Sequence, residues 1–405
     1  MIEPVARTRL LRDNTAFRAL WASRAVSFVG DGITTTVLVL LAAQRDGPAG
    51  LSLLLLANAL PRLAGPLAGV LADRVPTRRL MISCELGSAL VVAVIAVALP
   101  PLPVLLVLVA IAGALATVRG PAGRSLVPVL VEPADRAPAN ALFGLALTLQ
   151  LAVGPGLGGL VAAGPGGIHT ALVVDVATFL LSALLLARLP AITPPRDPAS
   201  GTGIWADAAA GLRYVAAHPQ VRMLVLSLFV LVAFAGIENV ALVFLTGDEL
   251  AAGPAGYGLA ASAFGAGMLL TSLACTRLVR GRSPVALLGI GIAATGVGTL
   301  LAGTAPALAV LIAAQLISGG GNAAENIGYD TVVQNLVPRP LLGRVFGTVG
   351  TAAQLGAGLA YAAGGLLVGL TGARTTYLIA GAGTLAVLAA LVPVLRRRVR
   401  ETSGG

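Results

Sequence analysis

Gly69-Val-Leu-Ala-Asp73-Arg74-Val-Pro-Thr-Arg78-Arg79 separates two strongly apolar runs of the sequence, at about residues 50–71 and 80–99. Each run approaches the length of about 20 residues that a helix needs to cross a bilayer. One acid and three arginines in so short a connection are typical of a tight loop at the membrane surface. The stretch therefore predicts a polytopic membrane protein.

The composition also favours a membrane protein. Of the 405 residues, 57% are hydrophobic and 11% are charged, and the mean hydropathy is +0.92. Soluble globular domains carry about 25% charged residues, so the shortfall indicates a chain with short loops. The 27 basic residues are all arginine, and the formal net charge is +10. Because most of these arginines fall in the predicted loops and tails, the charge does not indicate a nucleic-acid partner.

Twelve apolar runs are long enough to form spanning helices. They lie at about residues 17–43, 50–71, 80–99, 102–123, 139–163, 168–189, 221–246, 254–276, 284–303, 306–330, 344–369 and 374–395. The one long connection, residues 190–220, is proline-rich and then amphipathic, which predicts an interfacial helix at Trp205–Ala217. We therefore predict an all-α protein of two six-helix bundles, residues 1–189 and 221–405, joined by a cytoplasmic loop at 190–220.

An internal repeat supports the division into two halves. Phe17-Arg-Ala-Leu-Trp21 matches Val221-Arg-Met-Leu-Val225, and Leu126-Val-Pro128 recurs as Leu336-Val-Pro338. Parallel repeats of this kind are found in membrane transporters, whose substrate sites lie near the bilayer midplane. The repeat therefore predicts a transporter with two pseudo-symmetric halves.

The arginines predict the orientation of the chain. With a cytoplasmic N-terminus, the outer loops collect Arg45 and Arg374, while the cytoplasmic loops and tails collect many more. Positive residues concentrate in cytoplasmic loops, so both termini are predicted to lie in the cytoplasm, with the chain in the bacterial inner membrane. Cys84 and Cys275 are predicted to be unpaired structural thiols.

Several motifs resemble those of the major facilitator superfamily. The opening stretch resembles its loop after the second helix, roughly G-x-x-x-D-R-x-G-R-R, although Pro76 and Thr77 replace the usual Gly-Arg. The stretch Gly154-Pro155-Gly-Leu-Gly158-Gly159 resembles the G-P-x-x-G-G motif of its antiporters. The segments that contain Leu126-Val-Pro128 and Leu336-Val-Pro338 resemble the branch of the enterobactin exporter and macrolide efflux proteins.

The resemblance implies the fold of this superfamily and the exchange of a substrate against protons. The residues implied in a conformational latch are Gly69, Asp73, Arg74, Arg78 and Arg79, and those implied in antiport are Gly154, Pro155, Gly158 and Gly159. Taken without the resemblance, the first set can be a solvated positive-inside turn and the second ordinary packing of small residues. Pro155 is expected to kink its helix, whose glycine face is expected to pack on Gly265-Ala-Gly267.

Charged residues inside the predicted spans carry the expected transport chemistry. An Asp or Arg at the bilayer centre costs about 2.5–3.5 kcal/mol on insertion scales, so it seldom lies there without a partner or a function. A buried carboxylate can bind a proton and release it when a substrate or an arginine approaches. Asp31, Glu325 and Glu238 are the predicted proton-coupling residues. The alternative for Asp31 is a structural ion pair with Arg24 or Arg119, and a structural role is assigned to Asp175.

Polar stripes on the first and tenth spans predict the substrate cavity. Spacings of three and four residues place these side chains on one helical face, which is expected to face a cavity or the other half rather than lipid. The predicted cavity residues are Arg24, Ser27, Thr34, Thr35, Arg62, Arg119, Asn239, Gln315, Ser318, Asn322, Asn326 and Tyr329. The acids suit a cationic or zwitterionic lipophile, whereas the arginines suit an anion or a catechol-like siderophore.

The sequence contains two histidines, His169 and His218, and no metal-ligand motif, nucleophile elbow or P-loop. We therefore predict no enzyme, no metal and no cofactor, with the proton gradient as the energy source. The predicted function is proton-coupled efflux of a small lipophilic compound, such as a drug, antibiotic or siderophore, by alternating access. The chain is expected to act as a monomer among membrane lipids, without nucleic acid.

Other functions fit the same fold. The chain could be a lysophospholipid flippase-like carrier or an importer of a small metabolite, and an unimportant Gly154–Gly159 motif would favour these. A transport-inactive membrane sensor is a third alternative, against which the polar stripes argue, because a sensor has little need of acids at the midplane.

Overall fold

The computed structural model describes residues 10–65, 68, 71, 75–190, 204–278 and 283–403. Within these residues the regular elements are helices, without a strand, so the all-α prediction is confirmed. The main helices are α1 Thr15–Ala59, α2 Thr77–Ala98, α3 Leu102–Leu130, α4 Arg136–Ala152, α5 Gly154–Ala163, α6 Gly167–Ala187, α7 Ile204–Ala217, α8 Pro219–Ala235, α9 Glu238–Phe244, α10 Gly253–Leu278, α11 Pro284–Gly303, α12 Leu308–Leu336 and α13 Leu342–Ser403.

Two of these helices contain a glycine bend. Gly47 in α1 has φ 64° and ψ −161°, and Gly372 in α13 has φ 82° and ψ 169°. Such positive φ values are open chiefly to glycine, so the two residues interrupt the helices at these points. A straight helix as long as α1 would span roughly 68 Å, more than twice the hydrocarbon core of about 30 Å. Each of the two helices is therefore long enough to supply two membrane crossings.

Nine helical segments in the described part of the chain are long and apolar enough to cross a membrane. The chain is thus a multi-pass membrane protein, as predicted. Helix α12 is not among the nine, because its polar stripe lowers its mean hydropathy. Two of the nine contain the glycine bends, and the number twelve for the crossings remains a prediction.

Several predicted helix ends shift in the structure. The fourth predicted span continues to Leu130, and the tenth continues to Leu336. The helix expected at Trp205–Ala217 is present as α7, and its interfacial position remains a prediction. The fifth predicted span is broken at Val153, between α4 and α5. The break lies just before Pro155, which has no N–H to continue the helical bonding, so the predicted kink is confirmed.

The chain forms two compact units. The first unit comprises Met1–Arg45 and Ala57–Gly201, and the second comprises Asp46–Leu56 and Thr202–Gly405. The first unit has a buried core around Leu20, Met81 and Leu126. The second has one around Val333 and Val345, among others. The predicted domain limits at residues 189 and 221 remain a prediction.

Candidate functional site

A network of charged side chains is buried in the first unit. Arg119 of α3 donates from Nη2 to both carboxylate oxygens of Asp31 in α1, at 3.0 and 3.1 Å. Its Nη1 donates to Oε2 of Glu85 in α2 at 3.0 Å and to the Ser27 hydroxyl at 2.8 Å. Ser27 donates in turn to Glu85 Oε2 at 3.1 Å. Arg119 therefore joins three helices through one side chain.

Arg24 extends this network. Its Nη1 lies 3.5 Å from Glu85 Oε1, and its guanidinium lies 4.3 Å from the centroid of the Phe28 ring. Arg24 and Glu85 are both buried. Of the ion pairs offered for Asp31, the one with Arg119 is therefore present, whereas Arg24 pairs with Glu85. Glu85 contacts Arg119, Ser27 and Arg24, although the polar stripes in the sequence do not include it.

Asp175 of α6 lies in the same unit with a different set of partners. The hydroxyl of Thr34 donates to its Oδ2, and the Thr178 hydroxyl lies 2.8 Å from its Oδ1. No ion pair of Asp175 occurs among the residues that the structure describes. The carboxyl is fully buried, so two neutral hydroxyl groups are its hydrogen-bonding environment.

The second unit holds buried acids without arginine partners in its described part. Glu238 of α9 accepts a hydrogen bond from Thr299 at 3.3 Å, and the Thr299 hydroxyl lies 3.3 Å from that of Ser318. Glu325 of α12 is buried, and its Oε2 has no hydrogen-bond partner among the described residues. The buried Gln315 Oε1 and Tyr329 hydroxyl also lack one there.

Close packing of α11 against α12 positions Glu325. A Cβ added to Gly291 of α11 would meet the backbone of Glu325, and one added to Gly321 of α12 would meet the backbone of Thr295. Because small residues let membrane helices approach closely, these glycines bring the two backbones into contact. The acid is thereby held against a helix of its own unit.

The predicted stripe on α12 divides in the structure. Gln315, Ser318, Glu325 and Tyr329 are buried, whereas Asn322 is half-buried and Asn326 is exposed. Asn326 donates to the Asn322 side chain at 3.0 Å. The expectation that the whole stripe faces a cavity or the other half is wrong for Ser318. That side chain packs on Thr299 of α11, because the glycines draw this face of α12 onto its neighbour.

Three further predicted cavity residues are exposed and do not join either group of buried charges. Arg62 donates to the Asn58 side chain at 2.9 Å. Thr35 donates to the backbone carbonyl of Asp31 at 2.7 Å, and Asn239 donates to that of Gly236 at 3.0 Å. Each therefore bonds locally within its own helical segment.

The predicted latch falls largely outside the described residues. Gly69, Asp73 and Arg74 are not among them. Arg78 donates to the backbone carbonyl of Ala187 at the end of α6, and Arg79 is exposed. The latch itself remains a prediction.

The antiporter-like glycines pack on α1. A Cβ added to Gly154 would lie 2.7 Å from the Cα of Gly32, and one added to Gly158 would lie 3.0 Å from the carbonyl oxygen of Ile33. The neighbouring Gly159 is also buried. The expected packing on Gly265-Ala-Gly267, which belong to the second unit, remains a prediction. In the second unit, an added Cβ on Gly267 would meet the backbone of Leu316 in α12.

Paired arginines and carboxylates are buried among apolar helices in the first unit, and the described part of the second unit buries acids without an arginine partner. Buried charges in membrane helices are typical of ion or substrate pathways, so the site indicates a polytopic membrane transporter. Among the described residues no group of three His, Cys, Asp or Glu side chains could hold a metal ion. The chain belongs to the transmembrane secretion effector family (MFS_3), whose model matches residues 10–403. As a major facilitator transporter it is not an enzyme, as predicted.

Known proteins of the same fold include two named exporters. The multidrug efflux pump Tap of Mycolicibacterium fortuitum is 30% identical over 388 residues, covering 92% of this chain and 93% of the relative. The enterobactin exporter EntS of Escherichia coli O139:H28 is 25% identical over 409 residues, covering 97% of this chain and 95% of the relative. The predicted resemblance to this branch is thus confirmed.

A solved structure shows the same fold. The crystal structure of the nucleoside transporter NupG has a TM-score of 0.76 at 15% identity, covering 93% of this chain and 98% of that chain. At this identity the similarity concerns the fold alone. It supports the prediction of the major facilitator fold.

Proposed function

We propose that the chain is a proton-coupled exporter of small lipophilic compounds, such as drugs, antibiotics or siderophores, in a bacterial inner membrane. The observation that carries the proposal is the position of Arg119 between two carboxylates of unequal exposure. The Asp31 side chain is 21% exposed, whereas that of Glu85 is 0% exposed. A proton can therefore reach Asp31 while Glu85 stays paired.

Protonation of Asp31 changes the hydrogen bonds of Arg119 in a defined way. A neutral acid accepts more weakly than a carboxylate, so the bidentate bond from Nη2 weakens. Arg119 keeps its bonds to Glu85 and Ser27 through Nη1. Arg119 then keeps one carboxylate fewer as counter-charge, which disfavours a cationic substrate beside it, so a proton at Asp31 and a cation exclude each other as an exchange requires.

The second unit offers buried acids without an arginine partner in its described part. Glu238 and Glu325 are buried beside hydroxyl groups, with no arginine partner in the described residues. A buried polar atom without a partner costs about 1–3 kcal/mol, so Glu325 Oε2 gains from a proton or an organic cation. We assign Glu238 and Glu325 to exchange of a proton for a cationic or zwitterionic substrate.

Transport by alternating access follows from this exchange, with inward proton flow driving outward substrate flow. The proton gradient supplies the energy without a cofactor, both termini lie in the cytoplasm, and a monomer suffices. The names of the relatives, a multidrug efflux pump and an enterobactin exporter, support export. They do not favour a lysophospholipid carrier, an importer or a sensor.

Everted membrane vesicles test the proposal, because efflux there becomes measurable accumulation. Ethidium serves as the cationic probe and enterobactin as the anionic probe, each with an imposed proton gradient. Wild type is expected to accumulate at least one of them, and a protonophore to abolish the accumulation. Asp31→Asn and Glu325→Gln are expected to lose gradient-driven accumulation while retaining exchange of labelled for unlabelled probe.

Asp248→Asn is the matched control, because Asp248 is an exposed carboxylate outside both buried groups. It is expected to accumulate the probe like wild type. If neither Asp31→Asn nor Glu325→Gln loses gradient-driven accumulation, these acids do not couple transport. If wild type moves neither probe, export of this substrate class is refuted.

A further inference from the structure

Asp175 has hydrogen-bond geometry that differs from that of the paired carboxylates. Its Oδ2 accepts the Thr34 hydroxyl, while the Thr178 hydroxyl lies 2.8 Å from Oδ1 and 2.8 Å from the Asp175 backbone carbonyl oxygen. A threonine hydroxyl has one hydrogen to donate. That hydrogen cannot serve both oxygens of Asp175 at full strength.

A proton on Oδ1 gives a hydrogen bond to each of the three Asp175 oxygens, Oδ1, Oδ2 and the backbone carbonyl oxygen. The Oδ1–H group then donates to Thr178 Oγ1, and Thr178 donates its own hydrogen to the backbone carbonyl. Thr34 continues to donate to Oδ2. Without that proton, the single hydrogen of the Thr178 hydroxyl has to be shared between two oxygens that both lie 2.8 Å from Oγ1, which weakens both contacts.

The space beside Gly30 accommodates the Asp175 carboxyl and the Thr178 hydroxyl. A Cβ added to Gly30 of α1 would collide with both Thr178 Oγ1 and Asp175 Oδ1. The absence of a side chain at residue 30 therefore leaves room for the hydroxyl and the carboxyl to lie side by side. The Asp175 side chain is fully buried there.

The charged side chains of the buried network in the first unit balance when Asp175 is neutral. Asp31 on α1, Glu85 on α2 and Asp175 on α6 are three acids, and Arg24 on α1 and Arg119 on α3 are two bases. Both arginines are already paired with Asp31 or Glu85. The Phe179 ring of α6, one turn from Asp175, lies 5.0 Å from the Arg119 guanidinium. A third ionised carboxylate would be an unpaired buried charge, which is costly.

We propose that Asp175 is a second proton-binding site of the first unit, occupied in the conformation described here and emptied during transport. Its occupancy is independent of the proposed function, whereas its turnover during transport rests on that function. Asp31 binds a proton at the expense of its bond to Arg119, and Asp175 binds one between its own Oδ1 and Thr178. Two sites with different partners lie on neighbouring helices.

Infrared spectroscopy of the purified protein in lipid tests the occupancy. The carbonyl band of a neutral carboxylic acid is expected in wild type and in Asp31→Asn, and one such component is expected to be lost in Asp175→Asn. Thr178→Val is expected to shift this component, because the hydroxyl that accepts the proton is gone. Identical spectra of wild type and Asp175→Asn in this region would overturn the proposal.

Ser182→Ala is the matched control. Ser182 is a buried hydroxyl on the same helix, and it bonds to Ser23 at 2.7 Å rather than to a carboxyl. This variant is expected to leave the band unchanged. A shift equal to that of Thr178→Val would assign the band to a general distortion of α6 and overturn the site.

Transport assays then test whether Asp175 releases its proton during transport. Asp175→Asn is expected to retain probe exchange and lose most gradient-driven accumulation of ethidium or enterobactin, because asparagine can mimic the protonated acid but cannot release a proton. Accumulation equal to wild type would overturn turnover and make Asp175 a permanently neutral acid. If wild type moves neither probe, the proposed function fails, and the infrared band still decides whether Asp175 holds a proton.

Discussion

Glu85→Gln is expected to destabilise the first unit more than any substitution of an exposed carboxylate. Glu85 is fully buried, accepts from Arg119 and Ser27, and lies 3.5 Å from Arg24. Glutamine has the same size but no charge, so the two arginines lose one of their counter-charges. Removing one partner of a buried ion pair costs about 3–5 kcal/mol. We expect a loss of about 3 kcal/mol, because the amide oxygen still accepts one hydrogen bond.

The assay is reversible unfolding in mixed micelles, which gives the free energy of unfolding. Glu249→Gln is the control, because Glu249 forms the same kind of bond to Arg374, at 3.1 Å, with side chains 39% and 35% exposed. Exposed pairs are worth about 0–1 kcal/mol, so the control is expected to lose no more than that. The reasoning is refuted if Glu85→Gln costs no more than Glu249→Gln.

The double variant separates charge from shape. Arg24→Gln combined with Glu85→Gln removes one positive and one negative charge together, and both residues belong to one network. Coupled residues show interaction energies of about 0.5–3 kcal/mol. We expect the double variant to lose less than the sum of the two single variants. Strict additivity would show that Arg24 and Glu85 do not depend on each other.

Glycine substitutions give two further predictions. Gly154→Ala is expected to lower both the free energy of unfolding and probe accumulation, since its Cβ would lie 2.7 Å from the Cα of Gly32. Gly144→Ala is the control, because nothing lies within 4 Å of a Cβ added there. Equal unfolding free energies and accumulation in the two variants would contradict this packing. Gly47→Ala is expected to lower the free energy of unfolding by about 1–3 kcal/mol, because φ is 64° at this residue. Gly347→Ala in α13 is the control and is expected to cost nothing, because nothing lies within 4 Å of a Cβ added there. An unchanged free energy of unfolding in Gly47→Ala would disprove the bend.

The helices could be predicted from the sequence because spanning segments depend on local hydropathy and length. The loop at Arg78 and the break before Pro155 also follow from local chemistry, since charge and a missing N–H act where they stand. Which helix faces pack together depends on contacts between distant parts of the chain, and helical spacing does not determine them. Helical spacing placed Ser318 and Asn322 on one stripe, yet α11 covers Ser318 and leaves Asn322 half-buried.

Glu85 shows why part of the site was missed. Met81, Ala89 and Val92 share its face of α2 and only Ser88 is polar there, so no long polar stripe marks that face. The signal was the acid itself within an apolar run, which by its insertion cost should have been selected with Asp31. The partners of Asp175 could not have been found in this way. Thr34 and Thr178 are common residues in helices, and their contact with the acid depends on the space left by Gly30.

Buried acids have different surroundings in the two units, and under the proposed function this difference affects how each unit couples proton binding to substrate binding. In the first unit Arg119 bonds to one buried and one partly exposed carboxylate, so a proton at Asp31 weakens the two bonds to Asp31 while Glu85 still pairs with the arginine. In the second unit Glu238 and Glu325 have no such counter-charge in the described residues, so adding a proton there removes an isolated charge. Under the proposed function, a proton in the first unit disfavours a cation beside Arg119, and a proton leaving the second unit creates a site for a cation. The proposed exchange of a proton for a cation can therefore draw on buried acids of both units, with an arginine tuning the first and none doing so in the described part of the second.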